Sequence, residues 1–282
     1  MLSVNIARMS SAIRWAFNWK EWNPSEQEFE YATSCVQSEE KERLKRFVFR
    51  KDVRASLVGK LLMRKFVNEY AGLPYDKITF VRDEHNRPVL KDNCTVSFNV
   101  SHQGSYTVFA GEIENVKLGV DVMTLEYNEN KNISDFFRLM NKHFSTAEWD
   151  EIRSGKSEVE QMSMFYRHWA LKESYVKALG VGVFVDLRSI DFRTSSKLSE
   201  HSITTDTILC INGIKQDWLF EESLLDSRHC VAVALEKNDT SMRLRHTPFE
   251  MMNYDKLIAH AVPLFPIDSE YTAQYFAKYE QP

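Results

Sequence analysis

Ile13, Trp15, Phe17 and Trp19 recur at every second position, the spacing of a half-buried strand over 13–19. After a loop around Pro24, a helical region is expected over 38–70, with Leu44, Phe47, Leu57, Leu61, Leu62 and Phe66 as its apolar stripe. Ser38 can cap it, Glu39 and Glu40 suit its positive end, and Asp52 can restart it after a kink. Gly72 and Pro74 end the helix. A short strand at 78–81 then enters a polar turn, in which Asn86 tolerates left-handed backbone and Pro88 keeps Arg87 extended into 88–90. Val96, Phe98 and Val100 alternate with Ser97, Asn99 and Ser101, so this strand has one apolar and one polar face. Further strands follow at 106–110 and 118–123, the latter apolar apart from Asp121.

In the second half, Ser145 and Glu148 form a capping box, and Phe144 can staple onto Trp149. A helix is expected from Glu158 to its left-handed stop at Gly180, with Phe165, Trp169 and Val176 along one apolar line and Lys172, Glu173 and Lys177 emerging beside it. Strands are expected at 190–192, 207–211, 214–220 and 230–235, with Asn212-Gly213 as a type I′ turn. Polar linkers occupy 194–205 and 237–246, and the apolar residues of the tail suit a segment that wraps the body. The strand at 230–235 echoes that at 106–110, which points to two related halves.

Composition changes this picture little. The chain has 282 residues, 43% hydrophobic and 27% charged, which describes an ordinary soluble globular protein. A net charge of −4 gives no global reason to expect nucleic acid, and no apolar run is long enough to span a membrane. Cys35, Cys94, Cys210 and Cys230 are scattered, as in reduced cytosolic proteins. Arg8, Arg14 and Lys20, with several serines and no acid, also suit a mitochondrial presequence, but the alternation over 13–19 favours a strand.

Asp121 carries the most chemistry. A carboxylate inside an apolar strand must be paired, hydrogen-bonded or bound to a cation, and Gly119 beside it permits close approach of a ligand or another backbone. Glu173 and Lys177 lie four apart on one helix face, which on spacing alone describes a surface ion pair. His102, Gln103 and Gly104 cluster at a strand end. The basic run from Arg43 to Arg54 usually means a solvated face, and Arg82 and Arg87 flank a turn that can hold phosphate or be a plain hairpin.

Taken together, Gly119-Val-Asp121-Val and Trp169-Ala-Leu-Lys172-Glu173-Ser-Tyr-Val-Lys177-Ala-Leu-Gly180 resemble the G-[IV]-D and W-x-x-K-E-[SA]-x-x-K-x-x-G signatures of phosphopantetheinyl transferases, in the usual order. Asn99-Val-Ser-His102 is similar to the N-[IV]-S-H element, and Arg87-Pro88-Val-Leu90 resembles G-K-P-x-L with Asn86 in place of Gly. The likeness spans roughly 13–236. It implies an α+β fold of two pseudo-symmetric subdomains, 13–117 and 118–236, with the active site in the cleft between them. An N-terminal tail, 1–12, and a C-terminal extension, 237–282, flank these halves.

The resemblance further implies a cytosolic monomer that moves 4′-phosphopantetheine from coenzyme A to a serine of an apo acyl or peptidyl carrier protein, with Mg²⁺, releasing adenosine 3′,5′-bisphosphate. Expected carriers are those of fatty acid synthase, the mitochondrial acyl carrier protein, and aminoadipate-pathway and formyltetrahydrofolate dehydrogenases. Asp121 and Glu173 are the implied metal carboxylates, with Gln103 compensating for Met123, which stands where bacterial relatives often carry a third acid. Glu173 is the implied base and Lys177 its cationic partner. The implied coenzyme A contacts are Arg43; Arg82, Asp83, Glu84, His85, Asn86 and Arg87; Asn99, Val100, Ser101 and His102; and Glu173, Ser174, Tyr175, Val176 and Lys177. Arg43 and His102 are the candidates for the 3′-phosphate, and within 82–87 the arginines and backbone should dominate. A silent coenzyme A-binding protein and an Mg²⁺-dependent phosphohydrolase are the alternatives.

Overall fold

The computed structural model describes residues 12–91, 95–127, 129, 132–180, 186–237 and 246–281. The first strand, β1 (Ala12–Asn18), sits inside a sheet of order β12-β1-β5-β4, with β4 (Ser97–Gln103), β5 (Tyr106–Glu112) and β12 (Glu250–Met252). A second sheet has the order β10-β11-β6, from β6 (Leu118–Thr124), β10 (Trp218–Asp226) and β11 (His229–Glu236). Strand parity decides how they meet. Tyr106, Val108 and Ala110 of β5 pack on Val120, Val122, Val231 and Val233, so the sheets lie face to face over a dry core.

Each outer face carries a long helix. α3 (Arg50–Tyr70) covers the first sheet through Leu57, Leu61, Leu62 and Phe66, which pack with Trp15 and Phe109. α6 (Glu158–Leu179) covers the second through Ala170, Leu171, Tyr175 and Ala178. The buried Arg14 of β1 joins the layers by donating 2.8 Å to Glu112 and 2.9 Å to Glu221 of β10. The architecture is mixed α+β.

Local chemistry explains most boundaries. α5 (Thr146–Arg153) has its capping box at Ser145 and Glu148, and Phe144 meets Trp149 at 5.1 Å between ring centroids. Gly180 ends α6 at φ 71°, while Asn212 (φ 51°) and Gly213 (φ 80°) turn β8 (Ile208–Ile211) into β9 (Ile214–Lys215), beside β7 (Ile190–Arg193). The expected strand over 214–220 is therefore two, β9 and β10.

Other expectations need correction. The segment around Pro24 precedes a helix, α1 (Glu26–Ser34), whose capping box at Ser25 and Glu28 gives the same signal as Ser145. The amphipathic α4 (Ile133–Met140), capped by Asn132, was also unexpected. The region 38–70 splits into α2 (Ser38–Lys45) and α3, restarting at Arg50 rather than Asp52; the α2 cap is Gln37, without a side-chain bond. The apolar line Phe165–Trp169–Val176 is buried in part: Phe165 is buried and Trp169 packs on it, but Val176 in the last turns is half-exposed. Small residues, Ala170, Ser174 and Ala178, are buried there, because the helix lies close on β6.

The tail does wrap the body. β12 pairs parallel with β1, and α8 (Ser269–Phe276), following α7 (Tyr254–Ile258), stacks Tyr275 on Phe29 at 3.8 Å between centroids. The expected linker at 237–246 falls largely on 238–245, outside the described residues. Among the described residues no helix is long and apolar enough to cross a membrane.

Candidate active site

β4 and β6 are edge strands of different sheets, and side chains join them where a backbone ladder would otherwise run. Asn99 Oδ1 accepts from the Val120 N–H at 3.0 Å, and Ser97 Oγ accepts from the Val116 N–H at 2.9 Å. Gln103 Oε1 accepts from the Thr124 N–H, and Ser101 Oγ donates to Asp121 at 2.8 Å. The polar face of β4 is thus a seam, which satisfies backbone donors that burial would otherwise strand.

Asp121 stands at the middle of that seam and is nearly enclosed, 5% exposed. Its Oδ1 accepts from Lys177 Nζ at 2.6 Å as well as from Ser101, while Oδ2 is buried without a partner among the described residues. Lys177 Nζ also donates to Ser101 Oγ at 2.7 Å. The last turns of α6 reach β6 because Gly119 has no side chain: a Cβ there would lie 2.0 Å from the Ser174 carbonyl oxygen. The close approach permitted by Gly119 is therefore used by another backbone.

Glu173 projects one turn before Lys177. Desolvation first, then the charge of Asp121, raises its pKa above the ordinary glutamate range, against a smaller opposite pull from Lys177. Glu173, Val176 and Lys177 line a recess of about 450 Å³ together with His85 and Arg87. Ser174 and Tyr175 face the core instead, where Ser174 Oγ donates to the Leu171 carbonyl and Tyr175 meets Trp218 edge-on.

Arg82 and Arg87 flank the turn between β2 (Phe80–Arg82) and β3 (Pro88–Leu90), in which Asn86 has φ 63°. Asp83 holds this turn together, accepting from the His85 and Arg87 N–H groups and from Arg87 Nε at 2.8 Å. Burial alone would raise its pKa, but these donors hold it below the ordinary range. Glu84 is exposed. The Arg87 guanidinium packs against Gly180, and its Nη1 donates to the Lys177 carbonyl at 3.5 Å.

The remaining expected residues lie apart from this recess. Val100 packs toward Gly59 on α3. His102 and Gln103 line a different recess, of about 670 Å³, with Lys51, Asp52 and Glu280. Desolvation and then Lys177 lower the His102 pKa, against weaker upward pulls from Asp52 and Asp121. Arg43 lies on the exposed side of α2. Desolvation and then the Arg43 charge hold Arg82 below its ordinary range. Lys60 is lowered by desolvation, partly offset by Glu40, with Arg82 and Arg43 adding to the fall. This cationic patch suits an anionic ligand.

Sequence reasoning missed several residues. Lys172, expected at the helix flank, is buried and donates to Glu148 at 2.8 Å and to the Leu187 and Ile190 carbonyls. Desolvation lowers its pKa and raises that of Glu148. Lys177 pairs with Asp121 rather than with Glu173 as helix spacing suggested. Lys142 and His143 share the Glu173 recess. A short segment just before a capping box was the available signal for them.

Among the described residues no cluster of three or more His, Cys, Asp or Glu is placed to hold a metal. Two donors nevertheless fit a hard divalent cation that keeps waters: the Asp121 Oδ2, which has no partner among the described residues, and the neighbouring Glu173 carboxylate. Gln103, expected as a third, has its Oε1 on the Thr124 N–H and lines the separate His102 recess. Met123 packs beside the α6 core.

This seam, with an acid on each side and a cationic recess along it, coincides with two family signatures. The family described as "4′-phosphopantetheinyl transferase, N-terminal" matches residues 20–114, and the "4′-phosphopantetheinyl transferase superfamily" matches 117–234. The chain belongs to the 4′-phosphopantetheinyl transferase superfamily and is a phosphopantetheinyl transferase. It is similar to the L-aminoadipate-semialdehyde dehydrogenase-phosphopantetheinyl transferases of Xenopus laevis, at 37% identity over 96% of this chain and 94% of that protein, and Homo sapiens, at 39% over 92% and 89%. A phosphopantetheinyl transferase of Thraustochytrium is 33% identical over 79% of this chain and 77% of that protein.

Proposed function

We propose that the protein transfers the 4′-phosphopantetheine group of coenzyme A to a serine hydroxyl of an apo carrier domain, with Mg²⁺, releasing adenosine 3′,5′-bisphosphate. The observation that carries this reading is the Asp121–Lys177–Ser101 cluster with Glu173 one turn away. It sets two carboxylates and an ammonium beside a cationic recess. The serine oxygen forms the new bond to phosphorus, the anhydride P–O bond breaks, and the serine proton passes to Glu173 or to a water beside it. Contact with the cation would lower the pKa of Glu173, so a proton relayed through that water, or partial disengagement of the carboxylate, is the favoured route.

Asp121 and Glu173 would hold Mg²⁺, which when bound would neutralise pyrophosphate charge. Lys177, fixed by Asp121 and Ser101, offers a cation to the leaving group. Arg87 and the backbone of its turn hold phosphate oxygens, because Asp83 is occupied with the turn itself. Arg43 and His102 take the 3′-phosphate. Positioning and charge neutralisation dominate such a displacement. The carriers include the L-aminoadipate-semialdehyde dehydrogenase named for its relatives.

The test incubates the protein with fluorescent-pantetheine coenzyme A, an apo carrier domain and Mg²⁺, with chelated controls. Label on the carrier serine, lost on chelation and cut about 10²- to 10⁴-fold by Glu173→Gln, is expected. Coenzyme A cleavage without label would instead identify a phosphohydrolase, and binding without product a silent binder. Near-normal turnover by Glu173→Gln would remove its role as base.

A further inference from the structure

Phe49, at the N-cap of α3, provides no side-chain hydrogen bond to the helix it precedes. The first N–H groups of that helix are satisfied from the far end of the chain. The Arg50 N–H donates to the Tyr279 carbonyl at 2.8 Å and the Lys51 N–H to the Glu280 carbonyl at 3.4 Å. The same segment closes the end of α2, where Lys278 Nζ donates to the Lys45 carbonyl at 3.1 Å and the Phe47 carbonyl at 2.7 Å. The Glu280 carboxylate pairs with Arg54 and lies 3.3 Å from Arg50. Earlier in the tail, Asp268 pairs with Lys41 at 2.7 Å.

These contacts meet at one joint. α2 carries Arg43, α3 carries Lys51, Asp52 and Lys60, and Glu280 borders the recess that holds His102. We propose that residues 278–280 form a shared cap for the α2–α3 joint and thereby position Arg43 and the His102 recess for the 3′-phosphate of coenzyme A. Lys278 and Glu280 are positioning residues in this scheme. They lie outside both family spans, 20–114 and 117–234. The inference rests on assigning Arg43 to the 3′-phosphate, so its test includes that residue.

Steady-state transfer is measured with coenzyme A and with dephospho-coenzyme A for the full-length protein, Lys278→Ala/Glu280→Ala, Lys278→Arg and Arg43→Ala. The double variant is expected to raise the KM for coenzyme A about five- to tenfold relative to the KM for dephospho-coenzyme A, the ratio of the two being the readout. Lys278→Arg, which keeps the donor, should preserve selectivity. General loosening would instead weaken both substrates alike, and that result overturns the proposal. If Arg43→Ala loses selectivity while the double variant keeps it, the cap is refuted and the Arg43 assignment stands. If Arg43→Ala keeps selectivity, both fail. Should the double variant not fold, Lys278→Ala alone is held to the same selectivity criterion.

Discussion

A methyl group added at Gly119 tests whether α6 and β6 act as one unit. The new Cβ would lie 2.0 Å from the Ser174 carbonyl oxygen and 2.5 Å from the Ala178 nitrogen, both backbone atoms that no rotamer change can clear. The helix must retreat by about 1 Å, and overpacking of this kind costs about 1–3 kcal/mol. The upper end applies, because a whole helix must move. For a chain of this size about 3 kcal/mol lowers Tm by roughly 6–12 °C. The kinetic effect should be larger in proportion, since α6 carries Glu173 and Lys177 while β6 carries Asp121. A displacement near 1 Å costs about 10²-fold in rate. Gly59→Ala is the control: its Cβ would meet the Val100 side chain at 3.2 Å, and Ala gains about 1 kcal/mol of helix propensity, so turnover should stay within about twofold. Carrier labelling and thermal unfolding measure both effects. A Gly119→Ala protein with unchanged Tm and near-wild-type labelling would refute the coupling.

Lys172→Met should cost about 3–5 kcal/mol, because it leaves the buried Glu148 carboxylate without its cation. Adding Glu148→Gln should recover at least half of that loss in denaturant unfolding; no recovery would mean that the pair is not the reason. The tail contacts make a pH prediction. Lys41 first, then the Tyr271 N–H, holds Asp268 below its ordinary pKa, while Arg54 first, against desolvation, does the same for Glu280. Lower folded than unfolded pKa values mean that their stabilisation is present above about pH 4 and lost as pH falls through the folded values. The stability difference between wild type and Glu280→Gln should therefore be constant from about pH 5 to 7 and vanish in stronger acid, and a difference that persists there would contradict the assignment.

Much of the fold was legible because its strands follow simple parity and its turns use residues with one meaning. The 13–19 alternation, the Ser145 box and the Gly180 stop each reappear as β1, α5 and the end of α6, although β1 ends at Asn18 and is buried on both faces rather than half-buried, as its place inside the sheet requires. What parity and periodicity miss is which neighbour an element meets. Val176 reads as core only if α6 buries a wide apolar stripe to its end; against β6 it buries small residues, and Val176 turns to the recess, while Trp169 packs on Phe144 and Phe165. The Ser25–Glu28 box repeats the Ser145–Glu148 pattern and carries the same helix-start signal. Burial of Lys172 could not be read at all, since its acid lies 24 residues earlier on a separate helix.

The strand carrying Asn99-Val-Ser-His102 shows why a motif does not assign its own chemistry. Parity sends Asn99, Ser101 and Gln103 toward β6 and Val100 toward α3, with His102 leaving that seam. Asn99 is occupied by a backbone N–H, so its amide oxygen supports Val120 before it meets any ligand. Ser101 acts differently, donating to the carboxylate of Asp121 and accepting from the ammonium of Lys177, so that it ties the two charges together. One side of the strand therefore builds the seam, and His102 at its end lines the separate recess. The polar face of β4 turns to the other sheet, with Ser101 buried and Ser97, Asn99 and Gln103 half-buried, because joining two sheets at their edges demands donors and acceptors where a ladder cannot form.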